Sequence, residues 1–510
     1  MEDKDRGPDP QPRSDRGGDH APSLLRNTIS LAGAALAAVS LINVVFLFFM
    51  DVTSSQSSPY VGILAYMVAP GFLILGLFFV LLGMLVERRR RRRVAAGKIP
   101  AFPRIDLNVP AQRSTLAFFL SFVVVFVMMS AVGSYRGYEF TDSVRFCGQL
   151  CHGVMKPEFT AYLLSPHARV RCVDCHVGAG AGWYVRSKLS GARQVFATIF
   201  NTYPRPIPTP VANLRPAQQT CEECHWPRKF IGDQFKMITH FGTGEKNTPI
   251  QIRLLIKTGG GDPSTGLATG IHWHMNIGNE ITYAVTDPTR EKIDWVQARS
   301  LQTGKITVYK AGDAAESDAQ LAAAPKRRMD CIDCHNRPTH IYVSPDSSVD
   351  QSLLSGCLDP AVPFLKQQAV AALTGDYKTT ADAMQGIERS LRGFYAKYPA
   401  VQPATVDATV QEVQRIYTTS FFPEMKVDWR THPDNIGHFY FPGCFRCHDG
   451  QHSTADGRVL TNDCNTCHTF IGQETGSATV QIASQKFEHP GGELPEGVKC
   501  MDCHSGGVGP

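Results

Sequence analysis

A large excess of charge of one sign is missing from this sequence: 51 Lys and Arg face 46 Asp and Glu over 510 residues, a formal net charge of +5. The six consecutive arginines Arg88 to Arg93 outweigh that excess by themselves, so the rest of the chain is close to neutral. No nucleic-acid partner is expected. Low hydrophobicity is missing too: with 43% hydrophobic residues the chain is neither disordered nor collagen-like, and its length admits two or three domains. A cleavable leader is not expected, because the first apolar stretch follows a polar segment, residues 1–28, and lacks a small-residue cleavage site. Unassigned cysteine is nearly absent. Of 15 cysteines, only Cys357 stands outside one recurring motif, and it reads as a buried or inert thiol.

Three apolar stretches are present near the N-terminus: Ile29 to Met50, Tyr60 to Val86 and Ser114 to Tyr135. Each is long enough to cross a bilayer, so a three-helix membrane anchor is expected over residues 29–135. The loop 87–113 holds the arginine run with Lys98, Arg104 and Arg113, whereas Asp51 to Pro59 has no Lys or Arg. The positive-inside rule then places loop 87–113 and the leader 1–28 in the cytoplasm. Everything after about Gly137 is expected on the other side of a bacterial inner membrane, in the periplasm.

The exported part is dense in one motif. Random placement of 15 Cys and 17 His predicts roughly 0.015 copies of Cys-x-x-Cys-His. Six occur: Cys172/Cys175/His176, Cys221/Cys224/His225, Cys331/Cys334/His335, Cys444/Cys447/His448, Cys464/Cys467/His468 and Cys500/Cys503/His504. A seventh, Cys147/Cys151/His152, has three residues between its cysteines. Two thiols with an adjacent imidazole suit c-type haem, the thiols forming thioethers and the histidine binding iron. A zinc ribbon or a disulfide framework leaves the trailing histidine unexplained. Seven covalently bound haem c groups are therefore expected, close enough together to form an electron wire and much of the core.

Six-coordinate iron needs a second ligand, and spare histidines are plentiful. His167, His340, His438, His452 and His489 lie near haem-binding turns and are the preferred distal ligands. His272 and His274, two apart on an expected strand, share one face, so one is expected to bind iron and the other to support it. Met155 could supply a thioether to the first iron. His240 is balanced between ligand and bystander, and His432 reads as a surface residue.

Between the motifs, GWYVRSKLSGARQVFATIF reads as a helix at the membrane surface, with Trp183, Tyr184, Arg186, Lys188 and Arg193 suiting the interface. Lys188 is a candidate either for a quinol pocket or for a headgroup anchor. IQIRLLIK, ITYAVTD, KIDWVQA and KITVYK alternate apolar and polar residues around the turn GGGDPSTG, predicting a small antiparallel β insert over residues 241–325. ADAMQGIERSLRGFYAKY and TVDATVQEVQRIYTTSF carry the period of two helices. The expected fold is mainly α and irregular, with haem regions at 136–240 and 326–510.

The anchor followed by FCGQLCHGVMKPE, SPHARVRCVDCHVGAGAGWYVRSKLSGARQVF, CEECHWPRKF, GIHWHM, MDCIDCHNRPTH and GCFRCHDGQH resembles the NapC/NirT-type multihaem cytochromes. Within them it is similar to the seven-haem, quinol-oxidising ImcH-like group. That resemblance implies electron entry from membrane quinol, with menaquinol the expected donor, near the first haem, Met155, His167 and Lys188. Periplasmic cytochromes or other redox proteins would be the acceptors, in anaerobic or extracellular respiration. Two other classes fit the motifs: a terminal reductase of a small nitrogen or sulfur substrate, and a passive electron-transfer subunit. The lack of any Cys-x-x-Cys-Lys attachment and the surplus of histidines disfavour the reductase.

Overall fold

A computed structural model of the protein describes residues 24–53, 69–93, 107–476 and 487–508, except 26, 151, 178–180, 212–213, 227–229, 231, 263–266, 276, 313, 315, 490–491 and 496. The leader before residue 24, most of the Asp51–Pro59 loop, Lys98, Arg104 and Cys151 lie outside the described residues. Two compact units are distinguished, Met1–Glu139 and Phe140–Pro510.

In the first unit, helices α1 (Thr28–Thr53) and α2 (Ala69–Arg93) pack closely. Small residues make this possible: a Cβ on Gly33 would stand 2.7 Å from the Gly76 carbonyl oxygen, and Ser30 Oγ donates to the Val80 carbonyl at 3.1 Å. Among the described residues these two helices are long and apolar enough to cross a membrane. The third apolar stretch forms α3 (Pro110–Thr141), but its apolar segment there covers 110–125 and falls short of a span. Its last turns are polar, with Arg136 and Glu139 paired at 3.0 Å. Among the described residues two such helices thus stand where three were expected.

The second unit begins with α4 (His152–Leu163) and α5 (Ala181–Ile199). Among the described residues nine strands follow: β1 (Gln234–Phe241), β2 (Pro249–Ile256), β3 (Gly260–Asp262), β4 (Leu267–Thr269), β5 (Asn279–Ala284), β6 (Trp295–Ser300), β7 (Ile306–Lys310), β8 (Lys326–Arg328) and β9 (His468–Thr475). All strand pairs are antiparallel, in sheets ordered β1-β2-β9, β3-β4 and β7-β6-β5-β8. The small antiparallel β insert is thus present, and its first sheet takes one further strand from a distant part of the chain. Strand β9 comes from the C-terminal part, crosses Arg253 with Glu474 at 2.9 Å, and opens on His468 opposite Ile256.

Helices α6 (Pro345–Leu354), α7 (Leu365–Leu373), α8 (Thr380–Tyr395) and α9 (Pro403–Ser420) hold the main core. In α8, Ala383, Ile387, Leu391 and Tyr395 recur every fourth residue and are buried, and Thr379 caps its first turn by accepting from Asp382 N at 3.1 Å. Val410, Val413, Ile416 and Tyr417 make the facing stripe of α9. This region thus has an apolar protein core of its own, more than a haem-filled reading allows. A buried Lys366 ammonium bridges Asp346 and Asp350, each at 2.7 Å, between α6 and α7.

Candidate functional site

Each motif is a single tight turn held by its flanks. Cys172–His176, Cys331–Cys334 and Cys500–Cys503 are one-turn helices, whereas Gly443–Arg446 and Cys464–Thr466 are tighter 3-10 turns. Phe146–Leu150 forms a wider π turn, which gives the first motif room for its additional residue before α4 starts at His152. None of the described cysteines is in a disulfide. Cys224, Cys334, Cys444, Cys464 and Cys503 are exposed, as covalent attachment requires. Cys357 is exposed too, against the expectation of burial.

Sheet and helices then set the turns in place. Asp333, inside the fourth motif, is buried and accepts from Tyr283 Oη of β5 at 2.7 Å and from Arg327 Nε of β8 at 2.9 Å. Arg446 of the fifth motif reaches back to the Arg290 carbonyl at 2.8 Å. Behind the seventh motif, Trp429 Nε1 donates to the Ser505 carbonyl at 2.9 Å, and Asp346 N to the Gly506 carbonyl at 3.0 Å. Gly506 has φ +79°, and a Cβ there would approach Ser344 Cβ to 2.6 Å, so only glycine fits this closure.

The motif thiols form one spatial succession. Cys147 lies beside Cys172, Cys175 neighbours Cys221 and Cys224, and Cys221 lies beside Cys331. Cys334 neighbours Cys444, Cys444 neighbours Cys467, and Cys464 neighbours Cys500. Motifs one to seven therefore follow each other in space in the order they have in sequence.

Among the described residues six motif histidines face a second imidazole. Ring centres are 6.3 Å apart for His176 and His340, 5.9 Å for His225 and His167, and 6.5 Å for His335 and His272. They are 6.1 Å apart for His448 and His274, 6.2 Å for His468 and His438, and 6.0 Å for His504 and His489. Two imidazoles ligating one metal ion from opposite sides, with metal–nitrogen bonds of about 2.0–2.1 Å, have ring centres about 6 Å apart. The donor set and its spacing therefore fit iron held between the rings. In five of these rings Nδ1 bonds a backbone carbonyl: Pro338 for His167, Thr258 for His272, Ile271 for His274, Glu158 for His340 and Thr461 for His448, all at 2.9–3.1 Å. That contact fixes the tautomer with Nε2 free as a ligand. Burial pushes His340 down to about 4 and also lowers His274 and His438, so these rings are neutral at pH 7.

Several placements differ from expectation. His272 and His274 lie on a 3-10 turn, Ile271–His274, not a strand, so their rings diverge and each meets its own motif histidine. His452 is 1% exposed and uses both nitrogens within the protein, Nδ1 with Asp449 at 3.0 Å and Nε2 with the Ile293 carbonyl at 2.7 Å. It has no nitrogen left for iron. His432 is buried instead of at the surface, with Nδ1 against Thr209 Oγ1 at 3.0 Å. His240 pairs with Asp350 at 3.0 Å and stacks on Phe439. Its ligand atom lies within 4.8 Å of those of Asp346 and Asp350, but Lys366 already supplies the cation there. Met155 is half-buried one turn after His152 in α4. Lys188 lies in α5, where Arg186 covers the Trp183 ring at 5.4 Å and Leu189, Phe196 and Ile199 are exposed.

Thiol pairs beside a histidine, with a second imidazole opposite, are the attachments a c-type cytochrome needs. The profile of the NapC/NirT cytochrome c family, N-terminal region, matches residues 109–206. Cytochrome c-type protein ImcH of Geobacter sulfurreducens is 45% identical over 499 residues, which cover 95% of this chain and 98% of that protein. The chain belongs to the NapC/NirT cytochrome c family and is a multihaem member of it. No solved structure matches.

Proposed function

We propose that this protein is an inner-membrane quinol dehydrogenase that passes electrons from menaquinol through seven covalently bound haem c groups to periplasmic cytochromes or other redox acceptors. The six facing histidine pairs, strung along one succession of motif thiols, carry this reading. Haem supplies reversible one-electron chemistry, and the protein supplies attachment, ligation and spacing. The ligand set is His176 with His340, His225 with His167, His335 with His272, His448 with His274, His468 with His438 and His504 with His489. Met155 serves the first iron beside His152, and His452 is omitted. In this reading the haem regions 136–240 and 326–510 with the insert 241–325 face the periplasm. The exposed apolar side chains of α5 meet the lipid bilayer, and Lys188 holds the quinol oxygen near the first motif.

Stopped-flow haem absorbance after mixing the oxidised, detergent-solubilised protein with a reduced menaquinone analogue tests the proposal, alongside a pyridine haemochrome count. Rapid reduction with seven haems per chain supports it; seven haems without reduction would move electron entry to a partner protein. Lys188→Ala should slow quinol-driven reduction roughly tenfold or more, the loss of one charge-assisted hydrogen bond, and leave dithionite reduction intact. Equal loss of both would indicate misfolding. His452→Ala should leave every haem low-spin and cost about 1–3 kcal/mol of stability in urea titrations, because Asp449 and the Ile293 carbonyl lose their partner.

A further inference from the structure

We infer that Arg337 and His432 form a buried carboxylate-binding pair that holds a propionate of the haem seated between His176 and His340. The inference rests on the haem reading above and adds a partner to it. Arg337 is 7% exposed and His432 is 9% exposed. Arg337 spends Nε on the His340 carbonyl at 2.8 Å, while its Nη2 is buried without a partner. His432 engages Thr209 through Nδ1, and its Nε2 is likewise buried without a partner. Two orphaned nitrogens in one region are unusual, because a buried cation normally keeps a counter-charge.

Both side chains lie against one ring. The Arg337 guanidinium carbon is 4.9 Å from the centre of Tyr342, and the His432 ring centre is 6.2 Å from it. Their loops are tied together, since Asn336 Nδ2 donates to the Pro433 carbonyl at 2.8 Å and Asn435 N to Asn336 Oδ1 at 2.9 Å. Among the described residues Arg337 forms no ion pair within 4 Å. Glu158 accepts from Tyr342 Oη at 3.0 Å through Oε1 while its Oε2 is buried without a partner, and Asp434 accepts from Ile436 N at 3.2 Å.

With the Thr209 hydroxyl donating to Nδ1, His432 Nε2 is an N–H donor. Arg337 and His432 then offer two donors, the complement of one carboxylate. Arg337 is fastened to the backbone of His340, which assigns that carboxylate to the haem ligated by His340 and His176. A positive group on the propionate favours the reduced, more negative state, so it raises the potential of that haem.

Redox titrations of the complete protein, followed by EPR at pH 8, test this. In Arg337→Gln the haem count should stay at seven and one midpoint should fall. The haem affected should be the one that becomes high-spin in His340→Ala, and Arg337→Lys should restore part of the shift. Seven haems with unchanged potentials, or a fall at another haem, overturn the assignment. If Arg337→Gln does not load haem, His432→Gln removes the other donor and carries the same criterion. A wild-type protein without haem would overturn the proposed function instead.

Discussion

Alanine in place of His340 is expected to turn one haem high-spin and to raise its midpoint potential on the order of 100 mV or more, with the other haems unchanged. His340 is the imidazole facing His176, its Nδ1 is bound to the Glu158 carbonyl, and burial keeps it neutral. Removing a neutral nitrogen donor destabilises ferric iron more than ferrous, which sets the direction. EPR-monitored redox titration reads both effects. An unchanged low-spin signal would strike His340 from the ligand set. Because thiols of the second motif adjoin those of the first and third, a raised potential there should also trap electrons early and slow their arrival further along.

Lys366→Met should be the most destabilising single change in the helical core. Lys366 is 3% exposed, and its ammonium lies 2.7 Å from both Asp346 and Asp350. Its loss leaves two buried carboxylates facing each other without a cation, a change that costs about 3–5 kcal/mol when one partner of a buried pair is removed. Asp350 also accepts from Phe241 N at 3.0 Å and holds His240, so strand β1 should loosen together with α6. Urea titration followed by near-UV circular dichroism would show it. Arg392→Gln is the control: its partners Glu388 and Asp407 are exposed with it, and little change is expected.

The legible part of the site was chemical and local. A Cys-x-x-Cys-His turn declares both attachment atoms and one ligand within five residues, and the period of α8 and α9 appears directly in their apolar residues. The distal partners were legible as a set but not as pairs. His438 lies just before the fifth motif yet faces His468 of the sixth, and His167, just before the second, faces His225 of the third. Nearness along the chain misleads when the matching surfaces are made by tertiary contacts. His452 shows the same limit from the other side, since only the fold reveals Ile293 beside its second nitrogen. Strand β9 was hidden because its partner β2 lies more than two hundred residues earlier. The third apolar run was read by its length and lack of charge, whereas the apolar segment described there covers only 110–125.

The crossed pairing has a consequence for how such a chain matures. An iron gripped by His176 and His340 would close a loop containing the third motif, most of the β strands and the fourth motif. One gripped by His274 and His448 would close a second loop that overlaps the first. Each closure removes freedom from the unfolded chain, and the gain grows only slowly with loop length. The cofactors would then act as interlocking cross-links, so a nascent chain halted before residue 340 cannot complete its second site however well its early motifs are attached. Assembly of the wire should therefore wait for the C-terminal half, and a chain truncated before residue 340 should carry a high-spin haem at its second motif while the His167/His225 and His272/His335 sites are low-spin.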